Sequence, residues 1–196
     1  MRERSASACP ARGAIWTRRL GAPMLVLLGC ALIVERDRLA VLPTETRLAA
    51  LAAVFGGILF GSLLVPVPRD VARAPRALVL IAGLAGVGIS ALAAGTPIPL
   101  PIGPAAALVA VLAAIAEEAL FRRLAYALLA PAGAAIAVGA TALLFAMLHV
   151  PLYGVAAFPV DLGAGLLFGW QRWASGTWTV PAATHAAANL LAVIAR

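Results

Sequence analysis

Apolar runs recur along the chain at about 48–65, 77–94, 104–130, 134–149, 153–170 and from 178 to the terminus, after a shorter one at 21–34. A stretch of about 20 apolar residues is what a helix needs to cross a hydrocarbon core about 30 Å thick. Such a series leaves little choice of fold. It predicts an all-α, polytopic transmembrane bundle of about seven helices, with a range of about six to eight. Composition agrees, because 63% of residues are hydrophobic and 12% are charged, against about 25% charged in an ordinary soluble domain. A basic segment, 1–20, precedes a single membrane-embedded domain, 21–196, and no length remains for a second globular unit.

Prolines and glycines mark the breaks. Segment 66–75 closes the 48–65 run, and Pro97, Pro99 and Pro101 deny backbone donors to any helix crossing them. Pro131-Ala132-Gly133 divides two further segments, and Pro151 is expected to end the helix that reaches His149. Trp170, Trp173 and Trp178 bracket the last connection, as in an aromatic belt at a membrane surface. Whether the short 21–34 run spans is left open by its length; no small-residue cleavage pattern follows it, so a retained segment is expected rather than a removed signal.

All fifteen basic residues are arginines, giving a net charge of +7. Arg2, Arg4, Arg12, Arg18 and Arg19 precede the first apolar run and orient the N-terminus inward, which places Arg69, Arg73, Arg76 and Arg172 inside as well. Arg36, Arg38 and Arg47 then fall outside, against the rule. The arginine-only usage suggests a GC-rich coding bias and hence a bacterial inner membrane as the location. No basic cluster interleaved with aromatics exists to hold nucleic acid. Cys9 and Cys30 lie in different surroundings and are not expected to pair.

Ionisable groups inside apolar helices cost about 2.5–3.5 kcal/mol each on insertion scales, so each needs a partner or a task. Glu117-Glu118-Ala119-Leu120-Phe121-Arg122 is an E-E-x-x-x-R pattern. Glu118 and Arg122 share one helix face and can pair, whereas Glu117, turned by about 100°, faces elsewhere. In an apolar pocket Glu117 is then the candidate general base on water; a buried ion-pair cluster accounts for both carboxylates equally well. Phe145-Ala146-Met147-Leu148-His149 sets a ring and an imidazole one turn apart, and His185-Ala186-Ala187-Ala188-Asn189 sets two polar groups on one stripe among small residues. Taken singly, each histidine is as readily a helix-to-helix hydrogen-bonding group. Asn189 could donate to a developing oxyanion. Asp161, near Gly163 and Gly165, is read as structural, and Arg123 as snorkelling or locally paired.

The ordered series E-E-x-x-x-R, F-x-x-x-H, H-x-x-x-N over Glu117 to Asn189 resembles the CPBP family, the CAAX-protease and bacteriocin-processing intramembrane proteases also called Abi. Gly165-Leu166-Leu167-Phe168-Gly169 and Ser175-Gly176-Thr177-Trp178 look like the glycine-rich lead-in to the family's last histidine. The resemblance implies an endopeptidase in which Glu117 activates water with help from His149, His185 and Asn189 stabilise the oxyanion, and Glu118 and Arg122 support the geometry. No cofactor is needed if the enzyme is of glutamic type. If it is metal-dependent, Glu117, His149 and His185 would hold a divalent ion such as zinc. The implied partners are the bilayer and a membrane-associated or lipid-modified protein cut near its C-terminus. Two other readings remain: a non-enzymatic immunity or scaffold protein held together by the same polar groups, and a small proton-coupled transporter.

Overall fold

The computed structural model describes residues 20–94 and 103–194, and among them every regular element is helical. Seven helices follow one another: α1 Ala22–Glu35, α2 Thr44–Leu64, α3 Arg76–Ala94, α4 Pro104–Ala132, α5 Ala134–Tyr153, α6 Phe158–Ser175 and α7 Thr179–Ile194. Three of them, α2, α4 and α5, are long and apolar enough to cross a membrane. The fourteen residues of α1 rise about 21 Å, less than the hydrocarbon thickness of about 30 Å. The proline-rich linker 96–101 and Cys9 lie outside the described residues, and Cys30 is a free thiol.

Helix α4 is the axis of the bundle. Its first half runs beside α7 and α2, α5 packs along α6, and α3 covers α6 and α7. Immediately after Glu118 the backbone of α4 widens into a π-helical stretch, Ala119–Ala125, against which α1 packs. Such widened turns are concentrated at functional sites because they re-aim the side chains on either side. Phe121, Leu120 and Leu124 on this stretch are buried and join Ile33, Phe55 and Phe145 in the main apolar core. Around them, many large apolar side chains stay exposed on the outer faces, among them Met24, Phe60, Ile81, Leu108 and Met147. A chain that buries Glu117, Glu118, Arg122, His149 and His185 while leaving so many large apolar side chains on its outer faces is built for hydrocarbon rather than water.

Two boundaries differ from the sequence reading. Pro151 does not end α5: the helix carries it internally and continues to Tyr153, where Gly154 turns out at φ 81°. The added turn matters, since it brings the Tyr153 ring over His149 at 5.7 Å. Helix α6 correspondingly starts at Phe158 and ends at Ser175, later than the 153–170 run suggests. The break at Gly133, φ 113°, falls where expected.

Helix α6 can approach its neighbours because of its glycines. A Cβ on Gly165 would stand 2.9 Å from Ala142 Cα and 3.0 Å from Ala142 O, so α5 and α6 touch backbone to backbone there. At the far end, Gly176 (φ 68°) closes α6 against the 66–75 segment, whose Arg73 and Ala74 amides donate to Ala174 O. Arg172 also reaches Asp70 at 2.5 Å. The arginines of 69–76 and Arg172 thus lie at one end of the bundle, as the topology reading requires.

Candidate active site

The two neighbouring glutamates on α4 face different surroundings. Glu118 is fully buried, and its Oε1 accepts from Arg122 Nη1 and from His185 Nδ1, both at 3.0 Å. The i,i+4 pairing expected from sequence is present, and the histidine is an additional partner from α7. Arg122, itself without exposure, donates through Nη2 to Gly165 O at 3.1 Å and lies against the rings of Phe145, Phe168 and Phe121 at 4.8, 5.5 and 5.7 Å. A buried ion pair is stable only when the remaining donors and acceptors are satisfied or stacked. Here the aromatic rings stack on the guanidinium, Phe145 of the F-x-x-x-H pattern most closely, while Arg122 Nε and Glu118 Oε2 stay buried without a hydrogen-bond partner.

Glu117 opens instead onto a cavity of about 450 Å³ lined by residues of α2, α4, α5, α6 and α7, together with Arg36. Its Oε1 accepts from Arg36 Nη1 at 3.1 Å, while Oε2 faces His149 Nε2 at 3.8 Å and His185 Nε2 at 4.0 Å. The last two separations exceed a direct hydrogen bond and suit an intervening water. The tautomers follow from the opposite ring nitrogens. His149 Nδ1 donates to Phe145 O at 2.8 Å and His185 Nδ1 to the Glu118 carboxylate, so in a neutral ring each Nε2 carries its lone pair toward Glu117. Three polar atoms, Glu117 Oε2 and the two Nε2 atoms, therefore converge on the cavity, with each Nδ1 engaged at the rear.

Asn189 lines the same cavity and spends one N–H on Ala110 O at 2.9 Å, leaving the second amide hydrogen for a ligand. All six residues singled out from the motifs are brought together: Glu117, His149, His185 and Asn189 around the cavity, and Glu118 and Arg122 behind it.

Arg36 was not foreseen in this role. It sits in the charge run Glu35-Arg36-Asp37-Arg38, placed on the outer side by the sequence reading, yet its half-buried guanidinium bridges Glu117 and the Tyr153 hydroxyl, to which Nη2 donates at 3.0 Å. A contact across eighty-one positions has no periodic signature; the only hint was an arginine against the end of an apolar run. Since it is used internally, it no longer counts as a breach of the positive-inside rule. Asp161 pairs with no arginine among the described residues, lines the cavity and leaves Oδ2 buried without a hydrogen-bond partner. Arg123 is locally paired, donating to the carbonyls of Ser62 and Leu63 at the end of α2.

A tetrahedral zinc, with bonds of about 2.0–2.2 Å, holds its ligand atoms roughly 3.3 Å apart. Glu117 Oε2 stands 3.8 Å from His149 Nε2 and 4.0 Å from His185 Nε2, and Arg36 supplies a cation to the other oxygen of the same carboxylate. Among the described residues no group of three or more His, Cys, Asp or Glu is placed to hold a metal ion.

No curated protein and no solved structure matches the chain. Residues 99–191 match the family model described as type II CAAX prenyl endopeptidase Rce1-like, an interval that contains every one of the six motif residues. The motif order, the convergence of those six side chains in a helical membrane bundle and this match agree, and over residues 99–191 the chain is similar to the Rce1-like family of membrane proteases.

Proposed function

We propose that the protein is an intramembrane endopeptidase of glutamic type that hydrolyses a peptide bond near the C-terminus of a membrane-associated or lipid-modified protein. The observation that carries this reading is the division of labour on Glu117, with one oxygen held by Arg36 and the other facing two imidazole nitrogens across a water-sized gap.

Arg36 holds Oε1 and fixes the carboxylate's rotamer, so that Oε2 can accept a proton from water as the water adds to the substrate carbonyl. His149 accepts the second hydrogen bond of that water and orients its lone pair. The carbonyl oxygen then becomes an oxyanion within reach of His185 and Asn189. The Glu118 carboxylate on Nδ1 of His185 fixes that ring so that its Nε2 edge faces the cavity. Collapse of the tetrahedral adduct returns the proton from Glu117 to the leaving amine. The Ala164, Ala188 and Phe168 walls keep the cavity small and apolar, which strengthens each of these interactions.

The test is cleavage of a membrane-anchored substrate by detergent-purified wild type and Glu117→Gln, with and without a chelator. Loss of about 10²–10⁴ in kcat for the variant, the usual share of a general base, with no effect of chelator on the wild type, is expected. Activity abolished by chelator and restored by zinc would replace the glutamic reading with a metal-dependent one. Full cellular function of Glu117→Gln would favour the scaffold reading.

A further inference from the structure

The end of the bundle opposite the cavity mouth holds a second concave site. Arg172 lies eleven positions beyond Asp161 on α6, about 16 Å along the helix axis. Around it a pocket of about 340 Å³ is lined by Arg69, Arg76, Arg123 and Arg172, with Asp70 the one carboxylate in its wall and Trp178 at its side. Four guanidinium groups against one carboxylate leave an excess of three positive charges. Arginines that serve only topology need to stand in water. Arg172 does not: it is 4% exposed, gives Nε to Arg122 O at 2.9 Å and Nη2 to Asp70, and keeps Nη1 buried with no hydrogen-bond partner.

We infer that this pocket binds the phosphate of an anionic phospholipid headgroup. Guanidinium forks match phosphate oxygens two at a time, and basic pockets between membrane helices at the interface suit anionic headgroups. The surroundings favour a lipid over a free phosphate. Arg123 is fastened to the carbonyls of Ser62 and Leu63, and beside it Leu63 and Leu64 are exposed on the outer face of α2, where acyl chains would lie. Trp178 lines the same pocket, and tryptophan is the residue type enriched at membrane–water interfaces. The Arg122 carbonyl that Arg172 grips belongs to the residue bonded to Glu118, so lipid occupancy would also brace the helix carrying the active site.

The experiment is native mass spectrometry and thermal unfolding of the delipidated full chain, titrated with short-chain phosphatidylglycerol, phosphatidylcholine of equal chain length, or inorganic phosphate. Arg69 makes no side-chain hydrogen bond among the described residues, so Arg69→Gln should fold as the wild type does, shown by an unchanged melting temperature without lipid. With roughly 1 kcal/mol per interfacial arginine, Arg69→Gln should weaken phosphatidylglycerol binding about fivefold, and the double variant with Arg76→Gln about twenty-fivefold. Preferential binding of phosphatidylglycerol that falls in this order supports the site. Equal binding of phosphatidylcholine, indifference to both substitutions, or inorganic phosphate competing as strongly as the lipid would overturn it.

Discussion

Glu117 and Glu118 are adjacent in sequence, equally apolar in their surroundings on paper, and opposite in what the fold makes of them. Behind Glu118 everything is sealed: arginine, imidazole, three aromatic rings and a backbone carbonyl from α6 surround a carboxylate with no exposure. In front of Glu117 lies an open cavity and partners set 3.8 to 4.0 Å away. The first arrangement spends its charge on holding four helices in register; the second turns Oε2 toward the cavity and the two histidines. A carboxylate in a membrane can serve either end, and the turn of about 100° between consecutive residues is enough to assign one to each.

The comparison breaks most readily on the sealed side. Glu118→Ala strands Arg122 in the core without a counter-charge, and a loss of about 3–5 kcal/mol in unfolding free energy is expected, with cleavage falling only as folded protein is lost. Denaturant unfolding in micelles measures it, and a stable, inactive Glu118→Ala would move Glu118 into the chemistry. His185 belongs to both regions, so His185→Ala should lower kcat by about 10²–10³ and also loosen the Glu118 cluster. Separate measurement of kcat and of the melting temperature resolves the two contributions. Gly165→Ala tests the seal from outside. Its Cβ would meet the Ala142 backbone at 2.9 Å, and about 1–3 kcal/mol of overpacking should follow, together with withdrawal of the Gly165 carbonyl from Arg122.

Two neighbouring arginines sharpen the open side. Arg36→Gln should reduce kcat about tenfold with little change in KM, since a charge-assisted bond of about 1.5–3 kcal/mol is replaced by a neutral one. Arg36→Lys should recover part of the loss, because it restores charge without the fork that also reaches Tyr153. Arg38, two residues on, makes an exposed pair with Glu35, and Arg38→Gln should alter stability and rate by no more than about 1 kcal/mol. Equal effects of the two substitutions would remove Arg36 from the site.

How far the sequence reached follows from where each contact lies along the chain. Helical spacing within one segment conveyed the Glu118–Arg122 pair and the facing of Phe145 with His149, because i,i+4 neighbours are visible in a linear string. Order along the chain conveyed which motifs belong together. Long-range partners had no such trace. Arg36 reaches Glu117 from α1, Gln171 bridges Val79 O and Thr184 Oγ1 across three helices, and neither is marked by period or by motif. The π-helical stretch after Glu118 packs against both α1 and α2 and likewise has no local sequence rule. Pro151 misled for a different reason: proline disfavours a helix interior by losing one donor, but a single turn beyond it is tolerated where packing continues.

The most direct test is a side-by-side measurement of cleavage rate and melting temperature for Glu117→Gln and Glu118→Gln in one detergent with one anchored substrate. The account predicts a crossing: Glu117→Gln folds and melts as wild type does but loses about 10²–10⁴ in kcat, whereas Glu118→Gln melts lower. Cleavage surviving in Glu117→Gln, or melting lowered equally in both, would contradict the separation of a sealed structural carboxylate from an open catalytic one.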